Sequence, residues 1–223
     1  MKTQSLLLSS LLLASTTLCD AQNRRGPNTP EGIVRPRLSD TVPVNVYADN
    51  WFKLYINGKL VAVDSIDFMP HNVISVDILP EYPMTIAVMA KDGGNAETGL
   101  EYNNSNIGDG GFILKIGSDI VTDASWKAKN FFHGPIGGDK SNPRVRHLEI
   151  PDNWYAIEFD DSNWEQATEY PENVVRPRGT FSETDFDGAK FIWTGDLDLD
   201  NTIVFRKRVE KPGWEPRWNI GER

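Results

Sequence analysis

Asn57-Gly58 stands between two apolar runs, 51–56 and 60–63. Both central positions of a two-residue hairpin turn require positive φ, which Asn and Gly tolerate best, so the pair predicts an antiparallel β-hairpin. The same pattern recurs along the chain. Val42, Val44, Val46 and Ala48 alternate with Pro43, Asn45 and Tyr47, and further strand-like segments lie at 73–79, 84–90, 112–116, 120–122, 145–150, 154–159, 190–194 and 202–209. Gly, Pro, Asn and Asp clusters separate them, and no window keeps a 3.6-residue apolar period for three turns. Short antiparallel strands of this kind bury their apolar faces best as two packed sheets. The expectation is an all-β, two-sheet antiparallel β-sandwich of jelly-roll type over residues 41–209. Trp51, Trp126, Trp154, Trp164 and Trp193 are expected to pack between the sheets.

The flanking segments read differently. Met1-Lys2 precedes Leu6, Leu7, Leu8, Leu11, Leu12, Leu13 and Leu18 mixed with Ser and Thr, the pattern of a secretory signal peptide over 1–21, with cleavage after Ala21. A lipid anchor on Cys19 is the competing reading, although Thr16 and Leu18 suit that processing poorly. Residues 22–40 carry Pro27, Pro30, Pro36 and four arginines with few large apolar groups, which suggests an extended lead-in. The tail 210–223 holds Pro212 and Pro216 and is too interrupted for a helix. No second segment approaches about 18 consecutive apolar residues, so no other membrane span is expected.

Removing 1–21 takes away Lys2, Asp20 and the single cysteine, so the net charge of −9 is kept and disulfides, thiol catalysis and zinc-thiolate sites are excluded from the mature chain. The charge arises from 32 acidic against 23 basic residues, a balance that repels phosphate backbones and disfavours nucleic acid as a partner.

Several stretches together resemble a known family. Residues 49–59, Asp-Asn-Trp-Phe-Lys-Leu-Tyr-Ile-Asn-Gly-Lys, are similar to a strand and turn of galactose-binding-like β-sandwich domains. Thr122-Asp123-Ala124-Ser125-Trp126-Lys127 with Gly134-Pro135-Ile136 resembles a segment of the non-catalytic domains of α-rhamnosidases and related glycoside hydrolases. Residues 159–167 are similar to their acidic turn followed by a tryptophan, and 191–193 with 204–207 to their closing strands. The matches follow the family order, but they are framework motifs. In those enzymes the domain accompanies a larger catalytic domain, for which residues 210–223 leave no room, so no enzymatic activity is expected. The resemblance also implies a structural calcium ion.

Binding groups are expected on loops, because the sheets are occupied by packing. The segment 91–110 is long for an irregular loop. Tyr102 offers a flat face to sugar C–H groups, while Asn104, Asn106 and Asp109 suit hydroxyls in both directions. The loop 127–143 adds His133, Asp139 and Lys140, and the resemblance places it near the same rim. Trp214 and Trp218 are alternative stacking groups. Asn103-Asn104-Ser105 is a glycosylation acceptor at Asn103 in an exported chain.

Asp196, Asp198 and Asp200 are the candidate calcium ligands. An EF-hand starting at Asp196 fails, since Asn201 stands at the glycine position and Lys207 at the bidentate glutamate. The histidines His71, His133 and His147 are dispersed without metal-ligand spacing, and no Gly-x-Ser-x-Gly occurs. The leading expectation is therefore a secreted, non-catalytic, lectin-like protein that binds a glycan or polysaccharide. The alternative is a structural or adhesive protein of extracellular matrix, cell wall or mineral, with matrix proteins as partners. A glycoside-active enzyme ranks last.

Overall fold

The computed structural model describes residues 32–66 and 72–221. The expected signal peptide, its cleavage site and His71 lie outside the described residues. In chain order the strands are β1 (Val42–Asp49), β2 (Trp51–Ile56), β3 (Lys59–Val63), β4 (Asn72–Ile78), β5 (Met84–Lys91), β6 (Gly111–Ile116), β7 (Ile120–Val121), β8 (Lys127–His133), β9 (Arg146–His147), β10 (Glu165–Gln166), β11 (Thr168–Tyr170), β12 (Phe191–Trp193) and β13 (Asp200–Val209). They form two antiparallel sheets. One runs β11-β12-β6-β1-β4 with β7 beside β6, and the other runs β10-β8-β13-β5-β2-β3 with β9 beside β8. The Asn57-Gly58 hairpin forms as the sequence requires, with Asn57 at φ 48° and Gly58 at φ 73° joining β2 to β3.

Period-2 alternation decides which side chains face the other sheet. Val44, Val46 and Ala48 of β1 meet Phe52, Leu54 and Ile56 of β2 and Ile203 and Phe205 of β13 in the inter-sheet core. The outer faces are covered as well, by the long connections rather than by strands. Tyr47, Ile113 and Phe191 pack under Val175 and Phe186 on one side, and Ala87, Phe131 and Val204 pack under Trp154 and Trp164 on the other. Central strands such as β5 are therefore buried on both faces.

The tryptophans divide accordingly. Trp126 and Trp193 fill the inter-sheet core, while Trp154 and Trp164 are buried in the outer layer. Trp51 departs from the expected core role: it is half-buried, donates Nε1–H to Asp64 O at 2.9 Å and lies under Lys53 and Lys91.

Two expected strands change form. Residues 154–159 make turns, because Arg206 gathers Trp154 O at 2.5 Å and Ala156 O at 3.0 Å, and Trp154 and Tyr155 pack against Tyr55. The 145–150 strand shortens to β9, since Ile150 turns into the outer cluster and Pro151 has no N–H to extend a ladder. At 160–164 the acidic turn forms: Ser162 N donates to Asp160 Oδ1 at 3.0 Å, Trp164 N donates to Asp161 O at 3.0 Å, and Trp164 enters the outer core.

Strand direction gives the sandwich two poles. The ends of β1, β5 and β8 and the starts of β6 and β13 meet at one, where the 92–110 and 134–145 connections emerge. At the other, Trp214 packs edge-on to Tyr82, Arg217 binds Asp40, and Val34 pairs with Asn219, so the described part of the lead-in and the tail are held together.

Candidate functional site

The loop pole is built from short-range backbone chemistry. Asn95 O accepts from Thr98 and Gly99, Asn95 N donates to Leu100 O, and Glu101 pairs with Asn106. Tyr102, Asn103 and Asn104 follow one another at φ 45°, 58° and 62°, a left-handed turn that Asn tolerates and that throws Tyr102 outward. Tyr102 is 60% exposed. Lys140 Nζ donates to Ser105 O at 3.0 Å, and Gly99 lies against the Gly134 backbone, so the 134–145 connection braces this loop. Asn103 is exposed on the same turn.

Beside the turn lies an acidic cluster that joins the expected Asp109 to two buried carboxylates. Asp92, Glu101 and Asp109 each place a carboxylate oxygen within 4.8 Å of the others, the first two buried and the third exposed. Gly93 N–H is shared between Asp92 Oδ1 at 2.8 Å and Glu101 Oε1 at 3.1 Å. Asn50, at the β1–β2 junction, is anchored through its N–H to Lys91 O at 2.7 Å. Its side-chain Oδ1, like Asp92 Oδ2, is buried without a hydrogen-bond partner among the described residues. Glycines make the space. A β-carbon on Gly93 would stand 2.7 Å from Glu101 Oε1 and 2.8 Å from Asn50 Oδ1, and one on Gly108 would stand 1.7 Å from Asp92 Oδ2.

The electrostatic consequence is consistent across the group. Burial, then the nearby Asp109 and Glu101 carboxylates, push Asp49 up to about 8. Asp92 is raised by burial and by Glu101, and Glu101 is raised mainly by its own burial. The Tyr102 hydroxyl is raised by desolvation first and then by these same carboxylates. Such clustering favours whatever neutralises negative charge.

A second feature opens beside β8. A cleft of about 460 Å³ is lined by Lys129, His133, Arg146, Asn163, Glu165 and Asp196, among others. His133 Nδ1 lies 2.6 Å from Asp200 Oδ1, and the same carboxylate also receives Asn130 Nδ2 and Thr194 Oγ1.

The expected site residues thus separate. Tyr102 and Asp109 share the acidic field of the loop pole. Asn104 and Asn106 are exposed there, but Asn104 Oδ1 already accepts from Thr98 Oγ1 at 2.6 Å. His133 opens on the cleft, while Asp139 spends its carboxylate on Ser141 and Asn142 within its own turn. Asp196, Asp198 and Asp200 do not form a three-carboxylate group: Asp200 is buried and taken by His133, Asn130 and Thr194, and Asp196 accepts from Leu199 N at 3.0 Å. Trp214 and Trp218 sit at the opposite pole. Asn50, Asp92 and Glu101 were missed; the available signal was carboxylates set among glycines in Asp92-Gly93-Gly94 and Gly108-Asp109-Gly110.

Compared with protein-family models, curated proteins and solved structures, the chain matches none.

Proposed function

We propose that this is a secreted, non-catalytic glycan-binding protein that works at its loop pole. The observation that carries the reading is Tyr102, an aromatic face kept in solvent by a hydrogen-bonded left-handed turn, with the exposed Asp109 carboxylate nearby. A ring offers dispersion contact to sugar C–H groups, and carboxylate and amide oxygens accept from hydroxyls. A turn already locked in the free protein loses little entropy on binding. The ordered resemblance to galactose-binding-like domains supports the same reading, and the N-terminal apolar stretch supports export.

A glycan array probed with the full chain, with and without calcium, tests this; a broad array without a hit overturns it. Tyr102→Ala is expected to weaken binding about tenfold, in the range of a truncated contact residue, with little change in melting temperature because the ring is exposed. Unchanged affinity in both Tyr102→Ala and Asp109→Ala removes the loop as the site.

The His133–Asp200 pair favours a second reading, since a carboxylate that orients an imidazole in an open cleft is also a catalytic arrangement. Turnover of aryl glycosides that is lost in His133→Gln would establish it in place of the first.

A further inference from the structure

We propose that Asn50, Asp92, Glu101 and Asp109 form a divalent-cation site, of calcium rather than magnesium type, that fastens the 92–110 loop to the β1–β2 junction. The inference does not depend on what the loop pole binds.

Three observations carry it. The first is donor chemistry and spacing. Calcium takes oxygen ligands at about 2.3–2.6 Å, so two oxygens on one ion stand no more than about 5 Å apart. The carboxylate oxygens of Asp92, Glu101 and Asp109 all fall within 4.8 Å of one another. The set is entirely oxygen, with no thiolate or imidazole, which suits a hard cation.

The second observation is independent of the acidic cluster. Asn50 is 5% exposed, and its Oδ1 has no hydrogen-bond donor among the described residues. That oxygen and Glu101 Oε1 both crowd the point where Gly93 would carry a β-carbon, so they are aimed at one space. Asp92 Oδ2 is likewise buried without a donor. A buried oxygen left without a partner costs about 1–3 kcal/mol, more when charged, and here two stand in one cluster. A cation accepts both at once.

The third is the glycine framework. Gly93 and Gly108 are the residues whose backbone approaches these oxygens, and a side chain at either would enter the space between them. The sequence thereby leaves room at the carboxylates instead of packing them.

The site joins segments that are far apart in the chain, with Asn50 between β1 and β2 and the three carboxylates along 92–109. Binding is expected to stiffen the loop that carries Tyr102. Calcium is preferred over magnesium because the ligands come from irregular backbone and differ in exposure, whereas magnesium demands near-ideal octahedral geometry at shorter distances.

The test uses the full chain stripped with chelator. Calcium at a hundred times its dissociation constant is expected to raise the melting temperature by about 5–10 °C, and hydrogen exchange of amides in 92–110 is expected to slow. Asp92→Asn and Glu101→Gln should each abolish both responses while keeping the β-sheet circular dichroism; Asp109→Asn, at the exposed position, should weaken them and serves if either buried variant fails to fold. Asp196→Asn with Asp198→Asn should leave them intact. No thermal shift and no slowing at millimolar calcium overturns the proposal. So does a response that survives Asp92→Asn and Glu101→Gln or vanishes in the Asp196/Asp198 pair, which would move the ion to the other acidic loop. An equal response to magnesium overturns the assignment to calcium.

Discussion

Gly108 meets Asp92 so closely that a β-carbon on the glycine would lie 1.7 Å from Oδ2. The backbone, not a side chain, therefore closes on the acidic cluster at this point. Gly108→Ala is expected to force Asp92 or the loop aside, at about 1–3 kcal/mol, the usual cost of overpacking a tight site. The urea midpoint measures it, and a midpoint equal to that of the parent chain would show that the loop yields freely.

Arg206 is 2% exposed and holds Asp161 Oδ2 at 2.7 Å together with Trp154 O and Ala156 O. It thus ties the outer layer to β13. Arg206→Ala strands a partly buried carboxylate and two carbonyls, with an expected loss of about 3–5 kcal/mol. Arg206→Lys keeps the charge but not the fork, so it should recover only part of that loss. Full recovery by lysine would mean that charge alone matters here.

Phe205 stacks on Phe112 at 5.1 Å and contacts Trp193 at 5.8 Å, linking the two sheets through their shared core. Phe205→Ala is expected to cost about 3–5 kcal/mol by chemical denaturation. A loss below about 1 kcal/mol would argue against that packing.

Asp40 accepts from Arg217 and from Arg37 N–H, and these bonds hold its carboxyl at about 2, below the ordinary value of 3.8. Because the folded value is depressed, the contribution of this contact is complete above the unfolded value and is lost as pH falls through about 2. The indole signals of Trp214 and Trp218 are therefore expected to shift between about pH 4 and pH 2, and Asp40→Asn should remove that step. A step of the same size in Asp40→Asn would assign it to another group.

Strand chemistry was legible because it is local. Asn57-Gly58 dictates its hairpin, and the alternation in β1 is the alternation of its burial up to Val46. The segments 145–150 and 154–159 read as strands from their apolar residues, but Ile150, Trp154, Tyr155 and Phe159 cover the outer face of the second sheet, and Arg206 holds the Trp154 and Ala156 carbonyls in turns. Sequence periodicity does not report an arginine 52 residues away. The loop pole was half legible. The exposure of Tyr102 and Asp109 was legible from their place in a long polar loop, whereas Asn50 lay within a framework motif and Asp92 was one of many polar residues in 91–110. Their convergence depends on β1 and β5 ending, and β2 starting, at one pole, which is a property of the fold.

Val34 and Asn219 exchange backbone hydrogen bonds of 2.7 and 2.8 Å at the pole remote from Tyr102. The described chain therefore enters and leaves on the same side, back to back with the loop surface. A tether or solid support attached beside the Val34–Asn219 pair leaves the 92–110 face pointing outward, so protein immobilised there should present that face without engineering of its orientation.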